Sequence, residues 1–211
     1  MNKSENTNSE QQIYLVRHGQ TDYNLKRIVQ GRGVDASLNA TGLSQAGKFY
    51  SAYKTVPFSH IYTSSLIRTK ETAGLFIDSG ISHSAHSEID EIDWGDQEGV
   101  KTSPKMRKFY GHVMRAWSSG DYSPKMKDGE SPLEVQDRVK TFFNSILNPS
   151  LDPVLIVSHG RTMRIILCTL LNKPLSEMRN FEHGNLGLYI VRRAADGFEM
   201  TLKNSSKHLE E

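Results

Sequence analysis

Short apolar runs alternate along this chain with longer stretches in which apolar residues return every three or four positions. "IYLV" (13–16), "HIYTS" (60–64), "PVLIVS" (153–158) and "LGLYIVRRA" (186–194) have the length and residue types of strands. The third is β-branched and nearly all apolar, as suits a central parallel strand covered on both faces. Between them the pattern predicts a helix over 41–54 capped by Thr41, another from Leu66 to Ile77, and a third from about Arg161 to Leu171. The best-marked helix spans 131–147, where Ser131 caps, Pro132 takes the first turn and Glu134 completes a capping box. Strand–helix alternation predicts an α/β fold: a three-layer α/β/α sandwich with a mostly parallel central sheet. Residues 97–129 fit this rhythm less well and are expected to be an inserted helical lid over a site. A single domain over 12–204 is expected, flanked by polar, disordered tails at 1–11 and 205–211.

Composition narrows the function mainly by exclusion. At 211 residues the chain can bury a full core, and a net charge of +2 argues for neither nucleic-acid nor membrane binding. Cys168 is the only cysteine, so no internal disulfide forms, and its apolar setting "RIILCTLL" predicts a buried thiol rather than a nucleophile. No apolar run reaches bilayer length, and the polar start "MNKSENTNSEQQ" is unlike a secretory signal, so a cytoplasmic location is expected. The oligomeric state stays open, with a homodimer among the options.

The chemistry gathers at strand ends. The first strand runs into Arg17-His18-Gly19 and the 153–158 strand into His159-Gly160-Arg161. The 60–64 strand ends at Ser64-Ser65, with Arg68 one helical turn on. Ligands of open parallel sheets bind beyond the carboxyl ends of the strands. If these three strands are neighbours, two histidines and two arginines converge on one patch, a cationic cup suited to phosphate. The helix opening after His159 would add free N–H groups and a positive dipole end. One Arg-His-Gly alone would carry little weight, since a histidine at a strand end is usually structural.

The acidic stretch "EIDEIDWGDQEG" offers Glu88, Asp90, Glu91, Asp93, Asp96 and Glu98, and spacing does not choose among them. A solvated acidic loop and a divalent-metal site are the competing readings. From 100 to 127 lie seven basic residues (Lys101, Lys105, Arg107, Lys108, Arg115, Lys125 and Lys127) against one acid, Asp121. Phe109, Tyr110, Trp117 and Tyr122 are interleaved with them. Either this is a basic lid that favours a substrate with a second anionic group, or an exposed basic helix over an aromatic core stripe.

"LVRHGQTDYN", "SSLIRTKETA", "IDEIDWGDQEG" and "VSHGRTMR", in this order, resemble the histidine phosphatase superfamily, the phosphoglycerate-mutase-like group. The linker "GRGVDASLNATGLSQA" is similar too, and the resemblance runs from about Ile13 to Arg192. It implies a phosphomonoesterase with a phosphohistidine intermediate, acting on a small phosphorylated substrate without metal or cofactor. His18 would be the nucleophile, and Arg17, Arg68 and His159 would clamp the phosphate. Asn24, Thr21, Gly19 and Gly160 would complete the substrate-binding set, Gly19 by letting phosphate approach the backbone. A histidine nucleophile needs one bare nitrogen, so the other should donate to a backbone carbonyl. The resemblance places the general acid at Glu91, with a raised pKa.

Two departures matter. Gln97 stands where the family often has an aromatic, with Trp94 close enough to supply the bulk. The arginine-histidine-tyrosine run of phosphoglycerate mutases after the glutamate is missing, which favours phosphatase over mutase. A mutase and a catalytically idle phospho-ligand- or protein-binding relative remain the rivals.

Overall fold

The computed structural model describes residues 11–101, 103–147, 150–195 and 197–210. A six-stranded sheet forms the middle layer, built from β1 (Gln12–Arg17), β2 (His60–Ser64), β3 (His83–His86), β4 (Val154–Ser158), β5 (Leu188–Ala194) and β6 (Gly197–Ser205). Its order is β3-β2-β4-β1-β5-β6. The first four of these are mutually parallel, while β5 runs antiparallel to β1 and β6 antiparallel to β5.

Side-chain alternation along the strands feeds two cores. Ile13, Leu15, Val154 and Ile156 face one, which is closed by Val135, Val139 and Phe142 of α5 (Pro132–Ile146) and Ile165, Ile166 and Leu167 of α6 (Gly160–Leu170). Val16, Ile61, Leu155 and Val157 face the other, closed by Phe49 of α2 (Ala40–Tyr53) and by Ala73 and Phe76 of α3 (Ile67–Asp78). The expected three-layer sandwich follows directly. A short helix, α1 (Asp22–Lys26), leads away from β1.

Local signals explain most element boundaries. Ser131 accepts from the Glu134 amide while Glu134 accepts from that of Ser131, so the capping box forms as expected. α2 starts one residue before the expected span. Its cap is Asn39, whose side chain accepts from the Gly42 amide at 2.9 Å, and not Thr41, which lies inside the first turn. The polar "HSAH" of β3 and the half-exposed β6 are strands that the apolar pattern does not announce.

The inserted segment contains α4 (Pro104–Ser118), capped by Ser103. Val113 and Trp117 are buried and Tyr110 packs on the main core, whereas all seven basic residues of the segment are exposed. The basic helix over an aromatic stripe is therefore the arrangement found.

The carboxyl end corrects an expectation. Residues 207–209 form a 3-10 turn, and His208 is buried with its ring 5.2 Å from that of Phe49 and 5.6 Å from that of Tyr53. Polar residues there pack because α2 presents an aromatic surface to them, so 205–210 is not a free tail. At the other end Gln11 is already buried, and residues 1–10 of the expected tail lie outside the described residues. Among the described residues no helix is long and apolar enough to cross a membrane.

Candidate active site

Register builds the site. Parallel pairing of β1 with β4 sets Arg17 opposite Ser158, so both strands stop at the same level. The His18 amide donates to the Ser158 carbonyl at 3.0 Å, and the rings of His18 and His159 lie 5.1 Å apart. β2 flanks β4 on its other side and brings Ser64 and Arg68 to the same patch. The convergence expected at the three strand ends is what the topology produces.

The two histidines differ in what is left of them. The Nδ1–H of His18 donates to the Gly19 carbonyl at 2.7 Å, which leaves Nε2 bare. Burial, with Arg17 and then Arg68 nearby, holds the His18 pKa well below the usual histidine range, so the ring is neutral at neutral pH. His159 is also held neutral, by burial and by Arg68. Its Nδ1 accepts from Arg68 Nε at 3.2 Å, so its Nε2 carries the proton and donates to Ser64 Oγ at 2.7 Å. Both of its nitrogens are spent.

A pocket of about 230 Å³ opens in front of His18, lined among others by Arg17, Asn24, Gln30, Glu91, Trp94 and Tyr110. Arg68 and His159 are fully buried and do not line it. Arg68 donates to the Val34 carbonyl at 2.7 Å and to the Gly31 carbonyl at 3.1 Å, which ties the 31–34 loop to His159. These two residues, expected as phosphate clamps, are packed against one another beside His18 and hold its surroundings.

Arg17 is the guanidinium at the pocket. Burial lowers its pKa somewhat, and its Nε is buried without a partner. Its Nη1 donates to the His183 carbonyl at 3.2 Å and lies 3.4 Å from His183 Nδ1. Asn24 is at the pocket too, with its Oδ1 already accepting from Thr21 N and Asn185 Nδ2. Its Nδ2 is the group left to bind. Thr21 itself is buried, caps α1 and donates to Gln30 Oε1 at 3.1 Å.

Both glycines make room for neighbouring parts of the chain. A Cβ on Gly19 would come within 2.8 Å of the Gly42 carbonyl, and one on Gly160 within 2.8 Å of the His183 ring. Gly19 admits helix α2, and Gly160 admits the imidazole that packs on Arg17.

Of the six candidate acids, Glu91 is the one that lines the pocket. Its carboxylate sits at the start of α6, accepting from Thr162 N at 3.0 Å and Arg161 N at 3.1 Å, and from Ile92 N at 3.0 Å. The helix N-terminus expected to face phosphate is thus occupied by Glu91. Asp90 turns away, toward Ser65 N and Arg32, and Glu98 accepts from Trp94 N. Glu130 pairs with Arg138 at 2.9 Å, and Arg138 also donates to the Glu88 and Asp90 carbonyls. The Glu130–Arg138 pair thereby fixes the loop that carries Glu91. Among the described residues no three acidic, histidine or cysteine side chains gather as metal ligands.

Three residues at the site carry no strand-end signal. Gln30 lines the pocket with a buried, unpartnered Nε2. His183, lowered to about 4 by burial and by Arg17 and Arg164, stays neutral beside Arg17. Asn185 donates to the His18 carbonyl at 3.0 Å. The last two sit just before β5, whose antiparallel pairing with β1 carries them to Arg17 and His18. The polar run "EHGN" ahead of an apolar strand was the available clue.

A bare imidazole nitrogen, an unspent guanidinium N–H and a carboxylate around one small pocket define a phosphoryl-transfer site on an open α/β sheet. The chain belongs to the histidine phosphatase superfamily (branch 1), whose family model matches residues 13–206. Two similar proteins carry provisional names. One is phosphoserine phosphatase 2 of Hydrogenobacter thermophilus, 28% identical over 197 residues, 93% of this chain and 96% of that one. The other is phosphoglycerate mutase GpmB of Citrobacter koseri, 32% identical over 167 residues, 77% of this chain and 76% of that one. Among solved structures, a phosphoserine phosphatase from Entamoeba histolytica in complex with 3-phosphoglyceric acid matches with a TM-score of 0.78 at 25% identity. That match covers 94% of this chain and 99% of the other.

Proposed function

We propose that this chain hydrolyses a small phosphomonoester through a phosphohistidine at His18. The observation that carries it is the 2.7 Å bond from His18 Nδ1–H to the Gly19 carbonyl, which presents a neutral, bare Nε2 to the pocket that Arg17 and Glu91 also line. Phosphoryl transfer asks mainly for in-line positioning and charge neutralisation. Arg17 Nε, Asn24 Nδ2 and Gln30 Nε2 are the donors for the phosphate oxygens. As the Nε2–P bond forms, the P–O bond to the alcohol breaks and Glu91, which must enter this step as the carboxylic acid, gives its proton to the leaving oxygen and becomes the carboxylate. Water then attacks phosphorus, Glu91 takes its proton, the N–P bond breaks and inorganic phosphate leaves. Arg68 and His159 support the cup from beside His18. A cytoplasmic location belongs with this reading, and the buried single thiol Cys168, raised to about 12 by burial, takes no part.

The mutase reading draws support from the GpmB relative. Phosphate release from 4-nitrophenyl phosphate and a panel of phosphorylated metabolites, with and without a bisphosphorylated primer, separates the two. Hydrolysis that ignores the primer supports the phosphatase. Primer-dependent isomerisation without phosphate release supports the mutase.

A further inference from the structure

A second pocket, of about 280 Å³, lies next to the catalytic one. Trp117 and Tyr122 of the inserted segment wall one side, and the 3-10 turn Leu175–Asn180 walls the other. Arg161 and Arg179 line it, and no carboxylate does. Neither arginine forms an ion pair among the described residues. Arg161 connects the two pockets. Its amide holds Glu91, and its guanidinium carbon lies 5.6 Å from the ring centre of Trp94 and 5.5 Å from that of Trp117. Trp94 lines the catalytic pocket, and Trp117 lines the second. The seven basic residues of the insertion, by contrast, point into solvent, where water and salt screen them. A guanidinium packed over two adjoining indoles is partly desolvated and fixed in direction, so an anion gains more from it than from a solvated lysine.

We propose that this second pocket receives an anionic group, a carboxylate or phosphate, at the far end of the leaving alcohol. The enzyme then prefers phosphomonoesters whose alcohol is itself negatively charged, with Arg161 and Arg179 setting that specificity. The proposal rests on the phosphatase reading above. It is tested with ω-carboxyalkyl phosphates of two to six methylenes, each compared with its uncharged ω-carboxamide twin. At the best chain length the acid should exceed the amide in kcat/KM by about tenfold to a hundredfold, the worth of a charge-assisted hydrogen-bonded contact. Arg179→Gln should cut that ratio about tenfold and Arg179→Glu should bring it to one or below. Because Arg179 is exposed, neither change threatens folding. Arg161→Gln should also lower the ratio. Equal rates for acid and amide at every length, or a ratio indifferent to all three substitutions, would overturn the proposal. Failure to hydrolyse any of these esters, 4-nitrophenyl phosphate included, overturns the phosphatase reading itself and this one with it.

Discussion

The ends of β1 and β4 are spelled almost alike, Arg17-His18-Gly19 and His159-Gly160-Arg161, yet they do different work. At the first, His18 spends one nitrogen on its own neighbour's carbonyl and keeps the other bare at the pocket. At the second, His159 is fully buried and spends both nitrogens, on Arg68 and on Ser64. The arginines split the same way. Arg17 keeps a buried Nε without a partner, whereas Arg68 uses its guanidinium on two backbone carbonyls and His159. Residue type alone does not assign a role here. Both nitrogens of His159 are engaged by its neighbours, whereas His18 Nε2 and Arg17 Nε are left without a protein partner at the pocket.

Substitutions at the two ends should therefore fail in different ways. The largest effect is at the open end. His18→Asn should lower kcat by about 10⁴-fold or more, as removing a nucleophile does, while the thermal midpoint changes little. Glu91→Gln should come next, lowering kcat by about 10²–10⁴-fold. That loss should shrink for 4-nitrophenyl phosphate, whose leaving group needs no proton. At the locked end the damage should move to stability. Arg68→Met strands the Gly31 and Val34 carbonyls and His159 Nδ1, at about 1–3 kcal/mol for each buried group left unpaired, visible as a lower denaturation midpoint. His159→Gln should cost about 1–3 kcal/mol through Arg68 and Ser64. If His159→Gln matched His18→Asn in activity and left stability intact, the division between the two ends would collapse.

The smallest expected effect is on pH dependence, and it joins the two ends. Burial lowers the pKa of His18, His159, His60, His83, His183 and His208 below the ordinary histidine value of about 6.5. Below that value the unfolded chain binds protons that the folded one refuses, so stability is full above about pH 6.5 and falls as pH drops through the folded pKa values. For His183 the window runs from 6.5 down to about 4, and its protonation there sets a cation against Arg17. Denaturation midpoints should hold nearly level from pH 7.5 to about 6.5 and decline from there to 4.5, and His183→Gln should flatten the decline. A midpoint that rises on acidification would contradict the sign.

How much of this was legible beforehand follows from the range of each signal. β1, β4 and α5 carry their evidence locally, in β-branched runs and in the Ser131–Glu134 box, and they stand where the pattern puts them. The fold class and the convergence of Arg17, His18, Arg68 and His159 follow from those strands together with neighbour order. Two kinds of information were out of reach. Contacts made by tertiary approach, such as Gln30 and His183, leave no periodic trace. Division of labour among identical side chains depends on partners that only the folded chain supplies, as with Glu91 chosen by the Arg161 and Thr162 amides while Asp90 goes to Ser65. The glycines show the same gap, since the room that Gly19 leaves for α2 and Gly160 for His183 is visible only in the folded chain.

The most direct measurement is to catch the intermediate and locate it. The protein is mixed with a ³²P-labelled phosphomonoester, denatured in alkali, which preserves phosphohistidine, digested, and the labelled peptide sequenced by mass spectrometry. The account predicts label on the peptide carrying His18, bonded at Nε2, and its loss in His18→Asn. Label on the peptide carrying His159, or steady phosphate release with no labelled histidine at all, would contradict it.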